Sequence, residues 1–370
     1  MFRAMLAPTP PRPDTLRRVL LIHPGALGDL VQAAPAFGAV RAGLPRAHLV
    51  LLTDAALAEL AGGMGLFDEV AGFDAAVAYR GRATQRARLL AGLAARVRRV
   101  RADAVAVFKG APVYPALAFA SGARWRVGLA RGAGRLLLHR FVPVVPSRHH
   151  EDRYLDVATA LGVDPSRRIP TVWPPRAMPV PAGVRAAAWP LVGLAPGGAR
   201  NAKQDMATKR WPAPRFATLA AALAADYPDA AFVLLGGPGD RAEVDAVRAA
   251  LPATRVVDLA GRTDVAGARA AIALLDVYVG NDSGLMHVAA STDTPAVVPF
   301  GPTDPRVIAP RAPGVHALWD PAPAPPCFDE VTGRQRPCQT PCCIDRVGVA
   351  AVRAAVDAAL AGRAAPNTNA

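Results

Sequence analysis

Four stretches of this sequence place small, polar and charged residues where an apolar run ends, and each could handle an anion or a proton. The most concentrated is NDSGLMHVAA, residues 281–290, with DVYVG before it and AVVPFG after it. Both flanks are apolar enough for buried strands. Asp282 and Ser283 then fall at a turn, and Gly284 lets backbone approach a ligand closely. The helix that follows presents unpaired N–H groups carrying partial positive charge. His287 lies four residues after Ser283, on the same face of the first turn. Together these residues suit a diphosphate, with a donor histidine beside it. Taken alone, His287 reads better as a packed structural side chain.

The other three stretches repeat the pattern. In HPGALGDLVQAAPAF a strand ends near His23, Pro24, Gly25 and Gly28 allow a tight turn, and a helix begins near Asp29. Asp29 is a candidate base at a strand's carboxyl end, or an N-terminal cap. In APGGARNAKQDMATKRWP, Gly197 and Gly198 open a loop able to wrap an anion, and Lys209 supplies a cation. An exposed polar loop is the alternative. In LLGGPGDRAEV, Asp240 begins a helix after Gly236 and Gly237. It suits either ribose hydroxyls or helix capping. HPGALGDLVQAAPAF is neither G-x-G-x-x-G nor a Walker loop, so the standard dinucleotide and triphosphate fingerprints fail there.

The elements that must position these residues alternate in the manner of βαβ units. RRVLLIHP, HLVLLTD and AVAVFKG read as strands, with helices expected at 28–42, 55–61 and 84–101. Proline then breaks the pattern in IPTVWPPRAMPVPAG, and strands resume at PLVGLAPG, AFVLLGG, VVDLAG, DVYVGND and AVVPFG. The expected organisation is a disordered leader at 1–16, an α/β domain at 17–170 and a proline-rich linker at 171–189. A second α/β domain follows at 190–326, then a cysteine-containing loop at 327–345 and a closing helix at 346–363. Both domains should be doubly wound and face a central cleft, with ligands at the carboxyl ends of strands.

Composition narrows the function. The 370 residues carry a formal charge of +14, with 52% hydrophobic and only 6% aromatic residues. Arginines are scattered without interleaved aromatics, which disfavours a nucleic-acid platform. An anionic membrane surface or a phosphorylated substrate fits better, and so does an arginine-favouring genome. Lysine occurs only at Lys109, Lys203 and Lys209, which suggests that these positions want a compact point charge. No apolar run is long enough to cross a bilayer, and the first residues lack the apolar stretch of a signal peptide. Cys327, Cys338, Cys342 and Cys343 cluster late in the chain without C-x-x-C spacing, leaving zinc binding and a reduced loop both open.

HPGALGDLVQAAPA, TKRWP, NDSGLMHVAA and FGPTDP, in that order, resemble glycosyltransferase family 9, whose best-known members are ADP-heptose:lipopolysaccharide heptosyltransferases. The resemblance runs from about Arg17 to Leu360. It implies GT-B architecture, with two Rossmann-like domains, the acceptor on the first and the sugar nucleotide on the second. The last helix would pack back on the N-terminal domain. It implies an inverting, metal-independent enzyme with no cofactor, using an ADP-sugar as donor. By resemblance Asp29 is the general base and Lys209 neutralises the departing diphosphate. Gly197, Gly198, Asp240, Asp282, Ser283, Gly284 and His287 fall to the donor side, and Gly28 and Lys109 to the acceptor side. The implied acceptor is an anionic lipopolysaccharide core or another glycan. That would place the protein in the cytoplasm with peripheral contact to the inner membrane, where Arg124, Arg126, Arg131, Arg135 and Arg140 are candidates. Two features depart from the pattern: the loop between Gly198 and Lys209 is long, and Lys109 stands where Gln is commoner. A sugar-nucleotide epimerase and a non-catalytic sugar-nucleotide-binding module are the rival readings.

Overall fold

The computed structural model describes residues 10–169, 173, 189–200, 204–321, 327–329, 334–337 and 343–363. The chain forms two compact units, divided between Pro174 and Pro175. Most of the expected linker, at 171–172 and 174–188, lies outside the described residues, as do residue 170, Lys203, Cys338 and Cys342.

The first unit is built on six parallel strands: β1 (Arg18–His23), β2 (His48–Asp54), β3 (Glu69–Phe73), β4 (Ala104–Val107), β5 (Trp125–Leu129) and β6 (Arg140–Val142). Their spatial order is β3-β2-β1-β4-β5-β6. The central strands are apolar nearly throughout because helices cover both faces: in β4 every residue is buried, and in β1 all but the first. Pairing of Ile22 with both Leu52 and Val107 puts β1 between β2 and β4. The chain winds to one side after β1 and returns to the other with β4, so a topological switch point opens beyond their carboxyl ends.

The second unit repeats this plan with β7 (Leu191–Ala195), β8 (Ala231–Leu234), β9 (Val256–Asp258), β10 (Val277–Gly280), β11 (Ala296–Phe300) and β12 (Val315–Trp319). The order β12-β11-β10-β7-β8-β9 has the same handed sequence as the first sheet, and its switch point lies between β7 and β10. Two doubly wound, Rossmann-like α/β units are therefore present, as GT-B architecture requires.

The helix Val349–Ala361 belongs to the second unit. Val352, Val356, Ala359 and Leu360 are buried in that unit's core, on β10, β11 and the helix Ala213–Asp226, and this apolar stripe fixes the helix there. The expected leader is partly ordered: Pro13–Thr15 form a 3-10 turn and Leu16 is buried, while residues 1–9 lie outside the description.

Candidate active site

At the first switch point, β1 ends at His23 and the helix Leu27–Gly43 begins four residues later. Gly25 makes so tight a turn possible, because a Cβ there would sit 2.6 Å from His23 Cε1 and 2.5 Å from Asp29 Cβ. Asp29 occupies the third position of the helix and serves in two ways at once. Its Oδ2 accepts a hydrogen bond from the Ala26 backbone N–H at 3.0 Å, which caps the helix. Its Oδ1 meets Lys109 Nζ at 2.7 Å and accepts from the Tyr154 hydroxyl at 3.0 Å. One oxygen thus forms the cap, and the other is held by an ammonium and a hydroxyl. Lys109 reaches Asp29 from the end of β4, and Tyr154 from the helix His150–Leu161, which the sequence did not single out. Gly28 is buried in the first helical turn, and its carbonyl accepts from Gln32.

The electrostatics of this cluster are strongly biased. Burial alone would raise the Asp29 carboxyl, but the Lys109 ammonium outweighs it and holds it well below the usual carboxylate range. His23 is fully buried, edge-on to Phe37, Phe108 and Tyr154. Neither of its ring nitrogens meets a hydrogen-bond partner. Burial lowers its pKa to about 4, so the imidazole is neutral at physiological pH. Asp29 and Lys109 nevertheless stay reachable, with side chains 21% and 30% exposed.

At the second switch point the glycine loop after β7 meets the turn after β10. Gly198 has φ +88°, and a Cβ there would lie 2.7 Å from Ser283 Cβ. Only glycine combines that backbone with that approach. Asn281, fully buried, ties the region together. Its Nδ2 donates to the carbonyls of Pro196 and Gly197 at 2.8 and 2.9 Å, and its Oδ1 accepts from the Trp211 N–H at 2.9 Å. Trp211 in turn donates its indole N–H to the Val347 carbonyl. Ser283 stands at the N-cap of the helix Gly284–Ala289, and its side chain makes no capping bond.

Lys209 approaches this turn from a 3-10 turn and is only 8% exposed. Its Nζ lies 2.8 Å from Asp282 Oδ2 and over the Phe328 ring at 5.6 Å. The Thr303 hydroxyl donates to the same carboxylate oxygen. Burial pushes the Asp282 carboxyl up, but Lys209 and Thr303 overcome this, and the group stays ionised below the usual range. Thr303 belongs to FGPTDP, so that motif supplies Asp282 with a donor. His287 is buried and adds to the field at Asp282.

Asp240 is placed otherwise than a ribose contact requires. It is 6% exposed, and its oxygens already accept from the N–H groups of Gly198 and Gly237 at 2.9 and 2.8 Å and from Arg200 at 2.5 Å. A carboxylate so occupied organises the loop that holds Gly198. Arg126 is likewise spent inside the fold, donating to the carbonyls of Leu137 and Ala123. Cys327 is half-buried and Cys343 buried. Among the described residues no three His, Cys, Asp or Glu side chains are grouped to hold a metal ion.

The family model for glycosyltransferase family 9 (heptosyltransferase) matches residues 90–336. This chain belongs to glycosyltransferase family 9. Lys109, Lys209 and residues 281–287 fall within the matched stretch, and Asp29 lies upstream of it. The curated lipooligosaccharide heptosyltransferase 2 of Haemophilus influenzae is 36% identical over 124 residues, which is 33% of this chain and 34% of that protein. The chain therefore aligns to about a third of the length of the curated family 9 relatives it matches. Among solved structures, a family 9 glycosyltransferase from Veillonella parvula superposes with TM-score 0.71 at 20% identity, covering 95% of this chain and 99% of that one. The E. coli ADP-heptose lipopolysaccharide heptosyltransferase II gives TM-score 0.69 at 22% identity, covering 93% and 99%. These two likenesses show the fold of this family 9 chain.

Proposed function

We propose that this family 9 protein transfers a heptose or related sugar from an ADP-sugar to an anionic glycan acceptor of the lipopolysaccharide inner core, with inversion at the anomeric carbon. In this reading Asp29 accepts the proton of the acceptor hydroxyl as that oxygen attacks the anomeric carbon. The bond from that carbon to the diphosphate oxygen breaks, and the charge that develops on ADP is received by Lys209, the backbone around Gly198 and the turn at Ser283 and Gly284. Asp282, backed by Thr303, holds Lys209 in place, and Asp240 and Asn281 hold the loops. No metal ion or cofactor is required by this division of labour.

The observation that carries the reading is the seat of Gly198 against Ser283, at the switch point of the second sheet, with Lys209 alongside. The ADP-heptose enzyme named above, which shares the fold, supports ADP as the nucleotide. No helix among the described residues is long and apolar enough to cross a membrane. We place the protein in the cytoplasm, drawn to the anionic inner face of the membrane by its charge of +14.

Calorimetric titration with ADP, UDP and GDP tests the donor assignment. ADP should bind selectively, and both Lys209→Ala and Ser283→Pro should weaken it at least tenfold. Selective binding of UDP or GDP would keep the fold and discard the heptose donor. Because Lys209→Ala leaves Asp282 buried without its cation, the Lys209→Ala/Asp282→Ala pair is titrated beside it; weak ADP binding in both isolates the cation's role.

A further inference from the structure

The ion pair between Lys109 and Asp29 conflicts with Asp29 acting as a base. A carboxylate that shares one oxygen with an ammonium at 2.7 Å and a tyrosine hydroxyl at 3.0 Å, and gives the other to a backbone N–H, has little proton affinity left. Brønsted behaviour makes such a group a poor proton acceptor. Yet the pair is only partly shielded, with 30% of Lys109 and 21% of Asp29 exposed. Both partners remain partly open to solvent, so an incoming anion can reach the ammonium and compete for it. Lys109 can be drawn off without breaking the fold, because Asp29 remains anchored through Oδ2 and Tyr154.

We propose that Lys109 keeps Asp29 inactive until an acidic group of the acceptor, a carboxylate or a phosphate close to the accepting hydroxyl, takes the Lys109 ammonium and frees Oδ1 to receive the proton. The inference rests on the reading of Asp29 as the base and assigns Lys109 as a positioning residue that selects for acidic acceptors. The exchange itself makes and breaks no covalent bond. In the transfer that follows, the hydroxyl proton passes to Asp29 Oδ1, the anomeric carbon gains the acceptor oxygen and the diphosphate leaves with the bonding pair. The charged and titratable groups facing Asp29 are His23 from β1, Lys109 from the end of β4, and Tyr154 and His150 from the helix His150–Leu161. His23 is neutral and buried, which leaves Lys109 as the cation in direct contact.

The test measures transfer to a Kdo-containing inner-core oligosaccharide in three forms: native, carboxyl-reduced and dephosphorylated. With wild-type protein, kcat should fall at least tenfold on the form lacking the releasing group, and which form does so identifies carboxylate or phosphate. With Lys109→Gln that fall should vanish, while KM for the native form rises. The acid limb of kcat/KM, which reports the free enzyme, should move to higher pH in Lys109→Gln, because removing the ammonium raises the Asp29 pKa. In Tyr154→Phe the discrimination between forms should persist. Equal losses of kcat on all three forms in Lys109→Gln, with the acid limb unmoved, would overturn the proposal.

If no form accepts sugar, the assignment of the reaction has failed, and the ion pair is then read directly. The chain has only three lysines, so reductive methylation with 13C gives few resonances to assign. The Lys109 resonance should move in Asp29→Asn and on adding Kdo or inorganic phosphate to wild type. A Lys109 resonance that ignores both anions would overturn the exchange whatever the reaction is.

Discussion

Asp29 and His23 share one buried corner, and burial acts on them in opposite ways. For Asp29 a cation offsets the cost of burial, so the carboxyl is charged. For His23 burial lowers the pKa to about 4, so the imidazole is neutral. The unfolded imidazole titrates near 6.5, so between these values the unfolded chain binds more protons and stability must fall as pH falls. The contribution is present in full above about pH 6.5 and is lost as pH drops to about 4. A difference of roughly two and a half pKa units corresponds to about 3 kcal/mol. His139, whose pKa is also lowered by burial and by Arg126, slopes the same way. Urea unfolding of wild type across that window should therefore lose stability steeply, and His23→Leu should flatten the slope. Parallel pH profiles for the two proteins would show that His23 is not the titrating group.

At the scale of elements, what holds the two switch points open is a set of side-chain-to-backbone bonds. Asn281 makes three of them, to Trp211, Pro196 and Gly197, from a fully buried position. Asn281→Ala would leave one N–H and two carbonyls unpaired, each costing roughly 1–3 kcal/mol where water cannot reach. We expect a thermal midpoint lowered by about ten degrees and ADP affinity reduced with it, because Gly198 loses its anchor. An unchanged midpoint would show that the loops hold without Asn281. The same scale explains what the sequence disclosed. Strands β1, β4, β7 and β10 announce themselves as apolar runs that give way to glycine-containing segments, and so the turns bearing Asp29, Gly198 and Ser283 were legible. Tyr154 was not, because the helix His150–Leu161 opens with HEDR, and nothing local marks its fifth residue as a partner of Asp29 some 125 positions away. Thr303 was visible only as part of a motif, since its bond to Asp282 also spans a strand-to-strand crossover. Asp240 shows the converse failure. Its spacing suits a ribose or a cap equally, and only the three donors around it decide.

For the whole molecule, the division into two units makes function separable as well as structure. The proposed donor half-site is assembled from β7, β10 and the segments around Lys209 and Thr303, all within the second unit. The helix Val349–Ala361 completes that unit's core: Val352 and Val356 are fully buried, and Trp211, one residue beyond Arg210 in the TKRWP segment, bonds the Val347 carbonyl just before it. Removing the helix exposes the apolar faces of β10 and β11 and of the helix Ala213–Asp226, a loss on the order of 2 kcal/mol for each large buried side chain. A fragment of residues 175–370 should therefore bind ADP with nearly the affinity of the full chain, whereas a chain ending at Gly348 should bind none and should lose the unfolding transition of the second unit in calorimetry. The first unit's transition should survive that truncation, because its six-stranded sheet and the printed bonds of the Asp29 cluster are made by residues before Pro174. Loss of both transitions together would mean that the two units fold as one cooperative body, and binding of ADP by the shortened chain would mean that the last helix stabilises the donor half-site without being needed to form it.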